Sequence, residues 1–176
     1  MSTITVKDSK FASYATVLLR IGLGVGFLSA VADRLGLWGP FGQPNVEWGN
    51  FSRLLEYTHT LNWYLPAGMI PPLGVIATGA EILFGLLILV GWHTRVAALL
   101  SGLLLLTFGV AMTLALGIKA PLNFAVLTGV GGALLLANCE GFPFSVDELL
   151  FYRTIKRRTD ESSTTSTIQS TESDHK

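Results

Sequence analysis

A single carboxylate, Glu81, stands in the middle of the run IPPLGVIATGAEILFGLLILVG at residues 70–91, whose other side chains all suit lipid. A run of this length and character forms a helix that crosses a bilayer. The hydrocarbon core of about 30 Å takes about 20 apolar residues, and the core has no water to satisfy any other backbone. A charge at the centre of such a helix costs roughly 2.5–3.5 kcal/mol on insertion scales, so it faces a bundle interior and finds a partner. The rest of the chain must supply both the bundle and the partner.

Half of the 176 residues are hydrophobic and only 14% are charged, the balance of an integral membrane protein. Besides 70–91, the stretches 11–32, 96–117 and 122–137 are apolar enough to span, the last being the shortest. The expected fold is all-α: a four-transmembrane-helix bundle with an outer interfacial helix and a short C-terminal amphipathic helix. Its parts are a cytoplasmic tail (1–10), a membrane domain (11–138) with an outer loop at 33–65, a cytoplasmic amphipathic segment (139–158) and a disordered tail (159–176). Lys7, Lys10, Arg95, Arg153, Lys156, Arg157 and Arg158 fall on one side, against Arg34, Arg53 and Lys119 on the other. Both termini are therefore expected in the cytoplasm, and the membrane is expected to be a bacterial inner membrane. The lipid bilayer is the expected partner, with no nucleic acid.

The N-terminal stretch has a competing reading. Lys7, Lys10 and Arg20, followed by an apolar run and Ala30-Val31-Ala32, imitate a signal peptide with an A-x-A site. Apolar character begins at Phe11, well before Arg20, so a retained helix is the reading adopted, and a mature chain beginning at Asp33 would contradict it.

Arg20 then becomes the expected partner of Glu81. It lies nine residues from Phe11, and Glu81 lies ten residues from Gly91, which places the two at one depth if both helices end level. Arg20 shares a helix face with Ser13, Thr16 and Gly24, and Glu81 shares one with Gly74, Thr78 and Gly85, small residues that let helices approach. The pair is read equally as a register-fixing ion pair and as a functional one. Gly22 and Gly26 form a G-x-x-x-G packing pattern.

The outer loop holds Trp38, Trp48 and Trp63. Trp38, Trp63 and Tyr64 read as an interfacial belt. Trp48, between Glu47 and Gly49, reads as part of a re-entrant lid over a cavity. Asn50 is placed to cap a helix with Phe51, Leu54, Leu55, Thr58 and Leu61 on one face and Ser52, Arg53, Glu56, His59 and Thr60 on another, lying on the membrane surface. Asn123, near the outer end of the fourth span, is a candidate cavity-lining residue with Thr78, whereas Thr107 and Thr128 are assigned no role. Ser145 and Glu148 match a capping box. His59 and His93 flank opposite ends of the second span, so no metal site is expected, and Cys139 alone forms no internal disulfide.

LLRIGLGVGF around Arg20, GLWGPFGQPNVEWGNF, the glutamate followed by GLLILVGWHTRVAAL, FGVAMTLALGIKAPLNFAV and FSVDELL recur in order, and over residues 14–152 the chain resembles the DoxX family of membrane proteins. That family is related to the membrane subunits of thiosulfate:quinone oxidoreductase. The resemblance implies a four-helix bundle and association with membrane redox chemistry; no intrinsic cofactor is expected, and Arg20, Thr78, Glu81 and Asn123 are expected to hydrogen-bond a bound quinone head group or an oxyanion in an apolar pocket. It carries over Arg20 and Glu81 as an intramembrane polar pair and no catalytic residue. A quinone-linked oxidoreductase subunit is the first expectation. Its electrons would pass directly from substrate to quinone or come from an oxidoreductase partner subunit, because the sequence offers no thiol pair, haem site or flavin motif. A small-solute permease acting as a homo-oligomer and a non-catalytic scaffold are the alternatives.

Overall fold

A computed structural model describes residues 10–156; the expected tails at 1–9 and 157–176 lie outside the described residues. In chain order the helices are α1 (Lys10–Arg34), α2 (Phe51–Leu61), α3 (Ile70–Val90, entered through a 3-10 turn at Ala67–Met69), α4 (Thr94–Leu116), α5 (Lys119–Asn123), α6 (Val126–Ala137) and α7 (146–156). No strand occurs among the described residues.

Three helical stretches are long and apolar enough to cross a membrane: Phe11–Arg34, Ala67–Val90 and Thr94–Leu116. At 1.5 Å per residue each is about 35 Å long. Their protein-facing stripes are narrow, with only 22–28% of each apolar window buried. Leu18, Val25, Ile76, Val96 and Leu103 are exposed outside them, an arrangement tenable in lipid and unfavourable in water.

The fourth expected span, 122–137, is not a continuous helix. α5 stops when the N–H groups of Phe124 and Ala125 turn back to the carbonyls of Ala120 and Leu122. Ala125 then takes a left-handed conformation (φ 51°), which costs a residue with a Cβ about 1–2 kcal/mol and redirects the chain. The 12 residues of α6 rise about 18 Å, less than a bilayer thickness.

α1 packs along α3, and α4 along α6. The first pair is brought into backbone contact by glycine. A Cβ at Gly24 would lie 2.9 Å from the carbonyl oxygen of Gly85, and one at Gly85 would lie 3.2 Å from that of Gly24. Gly22 and Gly26, the two ends of the G-x-x-x-G pattern, face open space instead. The helix pairs meet through Ile88, Ala97, Ala98, Leu136 and Ala137, at the end of the bundle where α3 turns into α4.

Buried polar groups lock that turn. Arg20 is 3% exposed and donates from Nε to Ile88 O (3.1 Å), from Nη2 to Leu89 O (3.1 Å) and from Nη1 to Pro143 O (2.8 Å). It therefore caps the C-terminus of α3, where carbonyls lack helical partners and a cation is favoured. Gly91 (φ 73°) closes the helix, and a side chain there would run into the Arg20 guanidinium. On the other side of the turn the Asp147 carboxylate accepts from His93 N (2.9 Å) and Thr94 N (2.8 Å), capping α4 from a distant segment. The capping box starts α7 with a shift: Ser145 Oγ accepts from Glu148 N, while Glu148 accepts from the N–H of Phe144.

Burial raises the Asp147 carboxyl, but the N–H groups of Thr94 and His93 outweigh it and hold the group below its ordinary value. A depressed carboxylate contributes stability that is complete above the unfolded-state carboxylate range and is lost as the pH falls through the folded-state value. The His93 and Thr94 amides are accordingly expected to lose hydrogen-exchange protection only in acid below that range. In Asp147→Asn protection should be weak already at neutral pH, and an unchanged profile in that variant would show the cap to be unimportant.

Candidate functional site

Glu81 lies on the buried face of α3 with Gly74, Thr78, Gly85 and Ile88, the face its spacing predicts, and is 3% exposed. Its partner differs from the expected one. Arg34, the last residue of α1 and 6% exposed, donates from Nη1 to Glu81 Oε2 at 2.5 Å and to Thr78 Oγ1 at 3.0 Å, with Nη2 3.4 Å from Glu81 Oε1. Arg20 does not meet Glu81. The Gly24–Gly85 contact sets the register of the antiparallel helices, and in that register Arg20 lies level with the C-terminal end of α3. α1 thus overshoots α3 by about ten residues, or about 15 Å, where the depth argument took the ends as level.

The neighbouring Asp33 organises the loop. It is buried, and its carboxylate accepts from the backbone N–H groups of Glu47 (2.9 Å), Trp48 (3.1 Å) and Gly49 (3.2 Å). Three amides converging on one carboxylate form a compact nest that satisfies a buried charge without a cation. The nest holds Trp48 against Tyr57 of α2, with ring centroids 4.8 Å apart and the planes tilted by 50°. Asn50 caps α2 as expected, its Oδ1 accepting from Arg53 N at 3.0 Å. The apolar face of α2 packs on the bundle, burying Leu54 and Leu61.

Between these elements lies a cavity of about 370 Å³. Arg34 and Glu81 form part of its wall, with Trp48, Tyr57, Leu54 and Leu61 from the loop and α2, Leu73 and Ala77 from α3, Phe108 and Met112 from α4, and Phe124 and Val126 from either side of the α5–α6 break. Thr107 and Phe124 line the cavity and are also exposed at the outer surface, beside Leu106 and Val110. Burial and the nearby Glu47 carboxylate push the Tyr57 phenol above its ordinary value, so it keeps its proton at neutral pH.

Of the residues singled out from sequence, Trp48 is half-buried in the cavity wall. Thr78 supports Arg34 from behind and is not part of the wall. Asn123 is exposed on α5 and does not line the cavity, whereas the next residue, Phe124, does and is half exposed. Trp38, Trp63 and Tyr64 are exposed. Arg34, Asp33 and Tyr57 were missed. The signal for Arg34 was present: the buried positions Arg20, Gly24, Phe27, Val31 and Arg34 follow one helical face, and no helix breaker intervenes before Gly36. Comparison with protein-family models, with curated proteins and with solved structures finds no match to this chain.

Proposed function

We propose that the protein is a redox-associated membrane subunit that holds a quinone in the cavity roofed by Trp48 and α2. The observation that carries the proposal is the Arg34–Glu81 pair set in the wall of an otherwise apolar cavity of about 370 Å³. Apolar walls with a few convergent polar groups are the composition of small-molecule sites, whose volumes start at about 300 Å³. Ionisable residues at membrane depth mark ligand or proton pathways.

The residues present suit this ligand. A volume of about 370 Å³ suits a substituted ring, and the exposed wall residues Thr107 and Phe124 offer a route for an isoprenoid tail toward lipid. Arg34 and the protonated Tyr57 are donors for ring oxygens, Trp48 is the apolar cover, and the Glu81 carboxylate is the group able to take or give a proton at the wall. When bound, the quinone supplies two-electron, two-proton acceptor chemistry, and a partner subunit or a small reductant delivers the electrons. α5 and α6 together make the fourth crossing of the bundle, with α2 at the outer interface. With Arg34 buried, Arg53 and Lys119 are the exposed basic residues of the outer segments, which supports reading both termini as cytoplasmic. The order of chain segments that resembles the DoxX family supports the same assignment.

Protein purified in mild detergent from quinone-containing membranes is expected to release quinone on solvent extraction, and Trp48→Ala to retain severalfold less. The proposal fails if no quinone is extracted and a short-tailed benzoquinone does not quench the protein's tryptophan fluorescence.

A further inference from the structure

The charged side chains of the cavity wall are one ion pair, Arg34 and Glu81. Arg34 contributes one positive charge and Glu81 one negative, joined by direct hydrogen bonds. The adjacent Asp33 side chain is outside the wall and accepts from three backbone amides, so those amides are not left for a ligand. Arg53, exposed on the outer face of α2, is engaged with Glu56 and with the Phe41 ring, and it is not part of the wall. Two partial donors remain. Arg34 Nε–H is buried without an acceptor among the described residues, and α6 begins at the wall with Val126 and has no side-chain cap. Partial donors of this kind suit a partial negative charge, such as a carbonyl oxygen. A full anion would bring a net negative charge into a low-dielectric site whose wall, among the described residues, has no cation besides the paired Arg34.

Resting on the quinone reading above, we infer that Glu81 is the specificity-determining residue of the cavity: by neutralising Arg34 it selects amphipathic ligands with an uncharged, carbonyl-bearing head and rejects anionic heads such as carboxylates and sulfur oxyanions. The ligand class follows from the pairing. An Arg34 without Glu81 would be an anion site in the same place, so a single isosteric change should convert one selectivity into the other. Glu81→Gln preserves the shape, keeps a carbonyl oxygen facing Arg34 and removes the countercharge.

The test is calorimetric binding to the full chain in detergent micelles at neutral pH, with two probes sharing one tail, a decyl-substituted benzoquinone and 4-decylbenzoate. Wild type is expected to bind the benzoquinone at least about tenfold more tightly than the benzoate. Glu81→Gln is expected to shift that ratio about tenfold or more toward the benzoate, chiefly by tighter benzoate binding. Benzoate binding to wild type as tightly as the benzoquinone overturns the inference and leaves the quinone reading standing. An unchanged ratio in a folded Glu81→Gln protein also overturns it. Binding of neither probe to wild type overturns both. If the variant does not fold, the wild-type ratio alone decides.

Discussion

Glu81→Ala is expected to destabilise the protein by about 3–5 kcal/mol, because it leaves the Arg34 guanidinium buried and without its countercharge. Arg34→Ala should cost a similar amount by stranding Glu81. Both losses are measurable as earlier unfolding in denaturing detergent or as a lower melting temperature in mild detergent. The double variant Arg34→Met, Glu81→Leu should recover most of the stability, since replacing a buried ion pair with apolar groups of similar volume is often close to neutral. Wild-type stability in Glu81→Ala would mean that water reaches Arg34 through the cavity and solvates it.

The second large effect belongs to Arg20. Arg20→Leu is expected to cost about 3 kcal/mol, since it removes a charged donor from three carbonyls at once. The loss should be local in origin, with amides near the α3–α4 turn and the start of α7 losing exchange protection first. A double-mutant cycle separates the two arginines. Arg34 and Glu81 share hydrogen bonds and should couple by about 2 kcal/mol. Arg20 binds carbonyls about two helical turns further along α3 and should add to Glu81 within about 0.5 kcal/mol. Strong Arg20–Glu81 coupling would restore the pairing expected from the sequence.

Helix existence and helix faces were legible because lipid imposes them. The period of small residues around Glu81 correctly marks its buried face, since Gly74, Thr78 and Gly85 all point inward, and Gly24 does the same on α1. The stagger of α1 against α3 was not legible. Depth was counted from the apparent ends of hydrophobic runs, and nothing in composition tells whether two helices end level. Asp33 and Arg34 looked like loop residues because they are charged and follow the apolar run, yet their charges are satisfied within the protein, so the helix carries them inside. The α5–α6 break was equally hidden, since the residues around it, Phe124 to Leu127, are all apolar and Ala125 is a strong helix former that takes a left-handed turn here. The place of Trp48 in a cavity wall was readable, but its ring partner Tyr57 was not, because that contact depends on a nest built by a residue fourteen to sixteen positions earlier.

Asp33 and Arg34 are consecutive residues in the last turn of α1, one holding the loop amides and the other holding Glu81. That turn is a mechanical joint between the roof of the cavity and its charge. The cavity wall and the loop that carries Trp48 are thus fastened to the bundle by two adjacent side chains of one helical turn, so a change at either position is expected to disturb both.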